Sequence, residues 1–133
     1  MKNILLLLVF LLSFTMTSCD KTVSKDSILG KWEVISLYKG KNFEKGNTDY
    51  ILEFSKNLTV RLNLDVNSCA AEYSGLCDDC ISFSAFRCTE ICCDNEFSTK
   101  LIEVLQEATE YEINSDILTL KNLGEVKLKR VFE

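Results

Sequence analysis

The chain contains no histidine and no proline, and it has only five glycines in 133 residues. Without an imidazole there is no Ser-His or Cys-His nucleophile pair, and no side chain of the type that most often moves protons near neutral pH. The few glycines form neither a phosphate-cradling loop nor a dinucleotide fingerprint. Carboxylates remain, but Glu103, Glu107 and Glu110 lie on the polar side of a helical repeat. Asp78 and Asp79 likewise read as solvated charge rather than as a catalytic pair. The expectation is a protein that is not an enzyme and needs no cofactor. Basic charge is also scarce, with 15 Lys and Arg against 20 Asp and Glu and a formal net charge of −5. Nucleic acid and anionic headgroups are gripped by clustered cations, so neither is an expected partner.

Long apolar runs are missing too. The longest, Ile4 to Phe14, covers eleven residues, well short of the roughly 20 that a membrane-crossing helix requires. It follows a single basic residue, Lys2, and gives way to Thr15-Met16-Thr17-Ser18 before Cys19. These are the three parts of an export signal. Met16-Thr17-Ser18-Cys19 resembles the lipobox of bacterial lipoproteins, which implies cleavage after Ser18 and acyl chains on Cys19. Several chains on one residue anchor firmly, because each buried methylene contributes about 0.8 kcal/mol. The expected organisation is a lipoprotein signal peptide at 1–18, a lipidated polar tether at 19–27, and one β-rich domain at 28–133. The expected place is the bacterial cell envelope, on the periplasmic or surface side, at the outer membrane more than the inner, with the lipid as membrane partner.

With Cys19 set aside, six cysteines remain: Cys69, Cys77, Cys80, Cys88, Cys92 and Cys93, all within 25 residues. An even set on an exported chain reads as disulfides in an oxidising compartment. Closing a loop of that length restricts the unfolded chain by roughly 3 to 4 kcal/mol. Many pairings are possible, and spacing does not choose among them. A bond between the adjacent Cys92 and Cys93 would be strained, so different partners are expected for the two. Two sharper readings stand beside stapling. Cys77-Asp78-Asp79-Cys80 is a CxxC, the form of a redox dithiol, but the βαβ pattern is absent and the two carboxylates would raise a thiol pKa. Cys77, Cys80, Cys88 and Cys92 together offer zinc four thiolates, but the seven-residue gap is short against the usual spacing of roughly 12 to 20. No metal site is expected.

From Ile28 onward the dominant period is two, as half-buried strands require. Leu58, Val60, Leu62, Leu64 and Val66 alternate with Thr59, Arg61, Asn63 and Asp65. Trp32, Val34 and Ser36 mark a first strand, Tyr50, Leu52 and Phe54 a second, and Ile81, Phe83 and Ala85 a short run between cysteines. Tyr111 and Ile113, Leu118 and Leu120, and Val126 and Leu128 mark three more. One segment changes period: after Asp94 or Asn95, the residues Phe97, Leu101, Val104, Leu105 and Ala108 recur at helical spacing. The expected fold is mainly β (α+β), an antiparallel meander sheet curled toward a barrel, with one amphipathic helix near 95–108.

The order of these features resembles the META domain of bacterial envelope lipoproteins. Ile28-Leu29-Gly30-Lys31-Trp32 is similar to its opening strand, and Asn67-Ser68-Cys69-Ala70-Ala71-Glu72-Tyr73 to its Asn/Cys/Tyr cluster. Thr89-Glu90-Ile91-Cys92-Cys93 is similar to its Thr-x-Met-Ala-Cys segment. Tyr111-Glu112-Ile113-Asn114-Ser115-Asp116-Ile117-Leu118-Thr119-Leu120 is similar to its Tyr-x-Ile-x-Gly-Asp-x-Leu-x-Leu ending. The resemblance implies that Cys69 pairs with Cys93. Cys77, Cys80 and Cys88 have no counterpart in it. A second resemblance, to lipocalin-like barrels, rests on Gly30-Lys31-Trp32 and on Arg130 in the last strand; it implies a guanidinium stacked on Trp32 that closes the barrel. Together they imply a non-catalytic envelope domain that engages an unknown envelope protein or small ligand, as an interaction or envelope-stress module. The alternatives are a carrier of a small apolar ligand and a protease inhibitor presenting the loop from Ser74 to Phe86.

Overall fold

In the computed structural model the described residues are 25–45, 50–75, 77–92 and 94–132. The expected signal peptide at 1–18, the lipidation residue Cys19, most of the tether, and Cys93 lie outside the described residues. After a short 3₁₀ turn, Lys25–Ile28, come β1 (Gly30–Lys39), β2 (Asn42–Lys45), β3 (Ile51–Phe54), β4 (Thr59–Asn63), β5 (Ser68–Ser74), β6 (Ser82–Phe83) and β7 (Arg87–Cys88). A single helix among the described residues, α1 (Glu96–Glu107), then leads to β8 (Glu110–Asn114), β9 (Ile117–Lys121) and β10 (Gly124–Arg130).

The strands form one antiparallel sheet in the order β6-β5-β4-β3-β1-β10-β9-β8, with β2 added to β1 and β7 to β5. Each half of the chain is a meander, and the halves join where β1 pairs with β10. The two outer edges also meet. Cys80 bridges Glu110, the Ile81 amide donates to the Thr109 carbonyl at 3.0 Å, and the Tyr111 amide donates to the Asp79 carbonyl at 2.7 Å. These bonds satisfy edge groups that would otherwise offer themselves to another chain. The result is the expected mainly β architecture, a sheet nearly closed into a barrel with one helix beside it.

Period-two alternation supplies the interior. Trp32, Leu52, Val60, Leu62, Leu118, Leu120, Val126 and Leu128 are all fully buried. The alternation of β1 changes phase midway, because its register against β10 shifts between Val34 and Ser36. Leu37 is therefore buried in place of Ser36, as an extra residue in a bulged strand dictates. The expected inward row from Leu58 to Val66 is shorter than its sequence pattern. Val60 and Leu62 are buried, but Leu58 and Val66 are 50% and 44% exposed. Leu58 sits in a tight turn at φ 62°, its amide bonded to the Ser55 carbonyl, and so it leaves the alternation. The strand β2 was not expected, since its four residues Asn42–Lys45 are mostly exposed and carry no clean alternation.

The helix begins where the polar signals place it. Asn95 accepts a hydrogen bond from the Ser98 amide at 2.9 Å, satisfying one of the orphan donors of the first turn. Leu101, Val104 and Leu105 are buried, packed mainly over β10, β9, β6 and β1. Close packing depends on Gly124, where an added Cβ would lie 2.8 Å from both the Tyr38 carbonyl and a Val104 methyl. On the solvent side Lys39 pairs with Glu103, and Lys100 reaches Glu44 at 2.6 Å and Glu96 at 3.0 Å.

Candidate functional site

The residues from β4 to β7 combine the cysteine block with an unusual arrangement of charge. Along β5 the alternation buries Cys69, Ala71 and Tyr73, while Ser68, Glu72 and Ser74 face solvent and Ala70 is half-exposed. Cys69 stands directly opposite Cys88 of β7, with their Cα atoms 4.0 Å apart, and the two form a disulfide. The implied Cys69–Cys93 pairing is therefore corrected. The physical reason is register: β7 lies alongside β5 and brings Cys88, which had no place in the resemblance, next to Cys69. Cys77 and Cys80 form a second disulfide within one short turn, and Cys92 is also disulfide-bonded. The four thiolates considered for zinc are thus divided between bonds. Among the described residues no group of three or more ligating side chains assembles.

A polar network holds the segment that follows β7. The buried Asn67 side chain donates to the Ile91 carbonyl at 2.7 Å and to Asp94 at 2.5 Å. Its oxygen accepts from the Thr89 hydroxyl at 2.7 Å and from the Ile91 amide at 2.8 Å. Every capacity of the buried amide that these bonds use replaces one that water would otherwise have filled. A second network ties the residue preceding β3 to the helix cap, since Tyr50 donates to Asp65 at 2.7 Å and accepts from Asn95 at 3.0 Å. Neither organising role was foreseen from the sequence. Asn67 was visible within the Asn/Cys/Tyr cluster, but its role depends on tertiary contacts with Thr89, Ile91 and Asp94.

The outer face of β4, β5 and β7 carries the site itself. Ala70 has Arg61 as its cross-strand partner on one side and Arg87 on the other. One methyl group thus lies between two guanidinium-bearing positions. A groove of about 450 Å³ runs over this row, lined by Arg61, Asn63, Ser68, Cys69, Ala70, Arg87, Cys88 and Thr89. It continues into a second depression of about 360 Å³ that shares Ala70 and Arg87 and reaches Glu72 and Ser84. The wall of the first groove contains no carboxylate. Among the described residues Arg61 and Arg87 make no ion pair and no side-chain hydrogen bond. Sequence reasoning missed both residues as a pair, because Arg61 lies 9 positions before Ala70 and Arg87 lies 17 after it, and only the strand pairings bring the three into one row.

The third arginine behaves differently. Arg130 pairs in register with Trp32 and stacks over its indole, with the guanidinium carbon 4.0 Å from the ring centroid. It donates to the carbonyls of Leu29, at 3.0 Å, and Ser27. The indole N–H donates to the Ile28 carbonyl at 2.7 Å. This cluster fastens the entry to β1 onto the end of β10.

At the opposite seam, Asp78, Asp79, Glu110 and Glu112 surround Tyr111 and Lys121 in a shallow depression of about 200 Å³. Burial, followed by the charges of Asp78 and Asp79, pushes the Tyr111 phenol above its ordinary value. Burial does the same to Tyr73, whose hydroxyl donates to the Ser55 carbonyl at 2.7 Å.

The model of the META domain family matches residues 26–132. No curated protein matches the chain significantly. Two solved structures share the fold. One is a DUF4847 family protein from Bacteroides vulgatus, with a TM-score of 0.62 at 14% identity, covering 80% of this chain and 96% of that one. The other is a protein from Burkholderia xenovorans, with a TM-score of 0.62 at 12% identity, covering 78% of this chain and 83% of that one.

Proposed function

The chain belongs to the META domain family, and from that premise we propose that it is a non-catalytic binding module, held at the bacterial cell envelope by a lipid on Cys19, that engages its ligand on the outside of the barrel. The observation that carries this reading is the contrast between interior and surface. Trp32, Leu52, Leu62, Leu118, Leu120 and Leu128 fill the barrel, whereas the two joined grooves lie on the outer face of β4, β5 and β7. A carrier of an apolar ligand needs an enclosed, mostly apolar cavity of roughly 300 Å³ or more, and here that space is occupied by side chains. The protease-inhibitor alternative needs a protruding loop between Ser74 and Phe86. Among its described residues Ile81 is instead buried and β6 is paired to β5. Exposed apolar side chains supply further contact surface, notably Tyr38 and Phe43, which face each other across β1 and β2 at 44% and 67% exposure.

Two measurements test the reading. Titration with a fluorescent fatty-acid analogue is expected to leave the emission of Trp32 unchanged, and saturable one-to-one uptake that quenches it would restore the carrier. The Cys19→Ala variant is expected to move from the membrane fraction to the soluble envelope fraction; its retention in the membrane would remove the lipid anchor from the proposal.

A further inference from the structure

We propose that the groove over Ala70 is a binding site for a small oxyanion, a phosphate or carboxylate group, held between Arg61 and Arg87. The inference rests on the reading of the domain as an external binding module and names the chemistry of its ligand. Neighbouring strands lie about 4.8 Å apart, so the backbones of Arg61 and Arg87 flank Ala70 at about 10 Å from each other. Both side chains are long enough to meet above a methyl group, and any larger residue at position 70 would fill the notch between them. Guanidinium groups present paired N–H donors in a planar fork that matches carboxylate and phosphate oxygens.

Local charge sets this groove apart from the rest of the molecule. The chain as a whole carries −5, and the ion pairs among the described residues lie elsewhere, around Lys39, Lys100, Lys121 and Lys127. Yet the two guanidiniums of the groove have no carboxylate partner among the described residues, and its wall has none. Glu53 is the cross-strand neighbour of Arg61 on the far side from Ala70, and Glu72 lies two residues along β5. Flanking carboxylates of this kind repel an extended polyanion and leave room for a single anionic group. The Ser68 hydroxyl is directed at the Asn63 side-chain oxygen, 3.4 Å away, which leaves the Asn63 amide N–H₂ as a further donor in the wall.

The cysteine block explains how such a site stays formed. Arg87 belongs to a strand of two residues, too short to hold its place by backbone pairing alone. The bond from Cys88 to Cys69 fixes the neighbouring residue to β5, so Arg87 is presented opposite Ala70 before any ligand arrives. Pre-organisation of this sort removes ordering cost from binding.

The test is titration of the mature, disulfide-intact protein with inorganic phosphate and, separately, with citrate, following the side-chain Nε–H signals of Arg61 and Arg87 and the Ala70 amide by NMR. Saturable shifts confined to these groups are expected, and the tighter of the two probes identifies the oxyanion as phosphate or carboxylate. Arg61→Met and Arg87→Met are each expected to weaken binding about tenfold or more, and Arg87→Lys to weaken it although the charge is kept. Ala70→Leu is expected to block binding while leaving the urea midpoint in place. Absence of saturable shifts with both probes, or binding that survives Ala70→Leu and the double methionine variant, overturns the proposal. The fatty-acid titration on the same sample separates the two readings: no oxyanion binding with an unchanged Trp32 signal removes this site alone, whereas uptake of the apolar probe removes the external-module reading itself.

Discussion

Replacing Cys69 and Cys88 together by alanine perturbs stability and site at one point. Their bond joins residues 19 apart in sequence, and in the loop-entropy model a crosslink of that span restricts the unfolded chain by about 3 kcal/mol. Cys69 is also buried, at 2% exposure, so loss of its sulfur leaves a small void worth about 1 kcal/mol. The comparison is the Cys77→Ala/Cys80→Ala variant, whose bond spans three residues and restricts the unfolded chain by less than about 2 kcal/mol. Urea unfolding followed through Trp32, the sole tryptophan, is the assay. For a domain of this size a denaturant slope of about 1–3 kcal/mol/M converts a loss of about 4 kcal/mol into a midpoint lower by roughly 1.3 to 4 M. The Cys77/Cys80 variant should shift by less than half as much. Equal losses, or the larger loss at Cys77 and Cys80, would refute the reasoning from loop length and burial. The variant lacking Cys69 and Cys88 should also lose oxyanion binding at urea concentrations where it is still folded, because among the described residues β7 pairs with β5 alone.

Three further outcomes are expected. Gly124→Ala should destabilise by about 1–3 kcal/mol, measured by thermal unfolding, since the new methyl meets the Tyr38 carbonyl and Val104; an unchanged midpoint would mean that the helix is not packed this closely. Ser115→Gly should stabilise by roughly 0.5–1 kcal/mol, because Ser115 sits at φ 58° in the turn where the related Tyr-x-Ile-x-Gly-Asp pattern carries glycine. The raised phenols of Tyr73 and Tyr111 make stability fall at alkaline pH: the unfolded chain loses these protons near pH 10 while the folded one retains them, so their contribution is complete below about pH 10 and declines as pH rises toward the folded values. Absorbance titration at the tyrosinate band should lose a late-titrating component in Tyr111→Phe, and an unchanged titration curve would contradict the burial of that ring.

The strands at Trp32, Val60, Leu62, Leu118 and Leu128 were legible because each alternates apolar and polar residues over a span long enough to outweigh its ends. The helix was legible because Asn95 and the spacing from Phe97 to Ala108 give the same answer. Legibility failed where backbone geometry breaks the period: at the bulge between Val34 and Ser36, at the left-handed turn of Leu58, and in β2, whose side chains are too exposed to leave a pattern. The disulfide pairing failed for a related reason, since a resemblance that lacked Cys88 had no means of placing β7.

Local patterning by itself determined the fold class, the position of the helix, and the concentration of cysteines in one segment, because propensity, capping and alternation act over a few neighbouring residues. The resemblance to lipocalin-like barrels, not the patterning, named Trp32 and Arg130 as a candidate pair, and the structure stacks them. Only the tertiary structure decided that Cys69 meets Cys88, and that Arg61, Ala70 and Arg87 form one row. Those relations are set by register between strands that are distant along the chain, and register is a property of the assembled sheet, fixed by which side chains fill its interior.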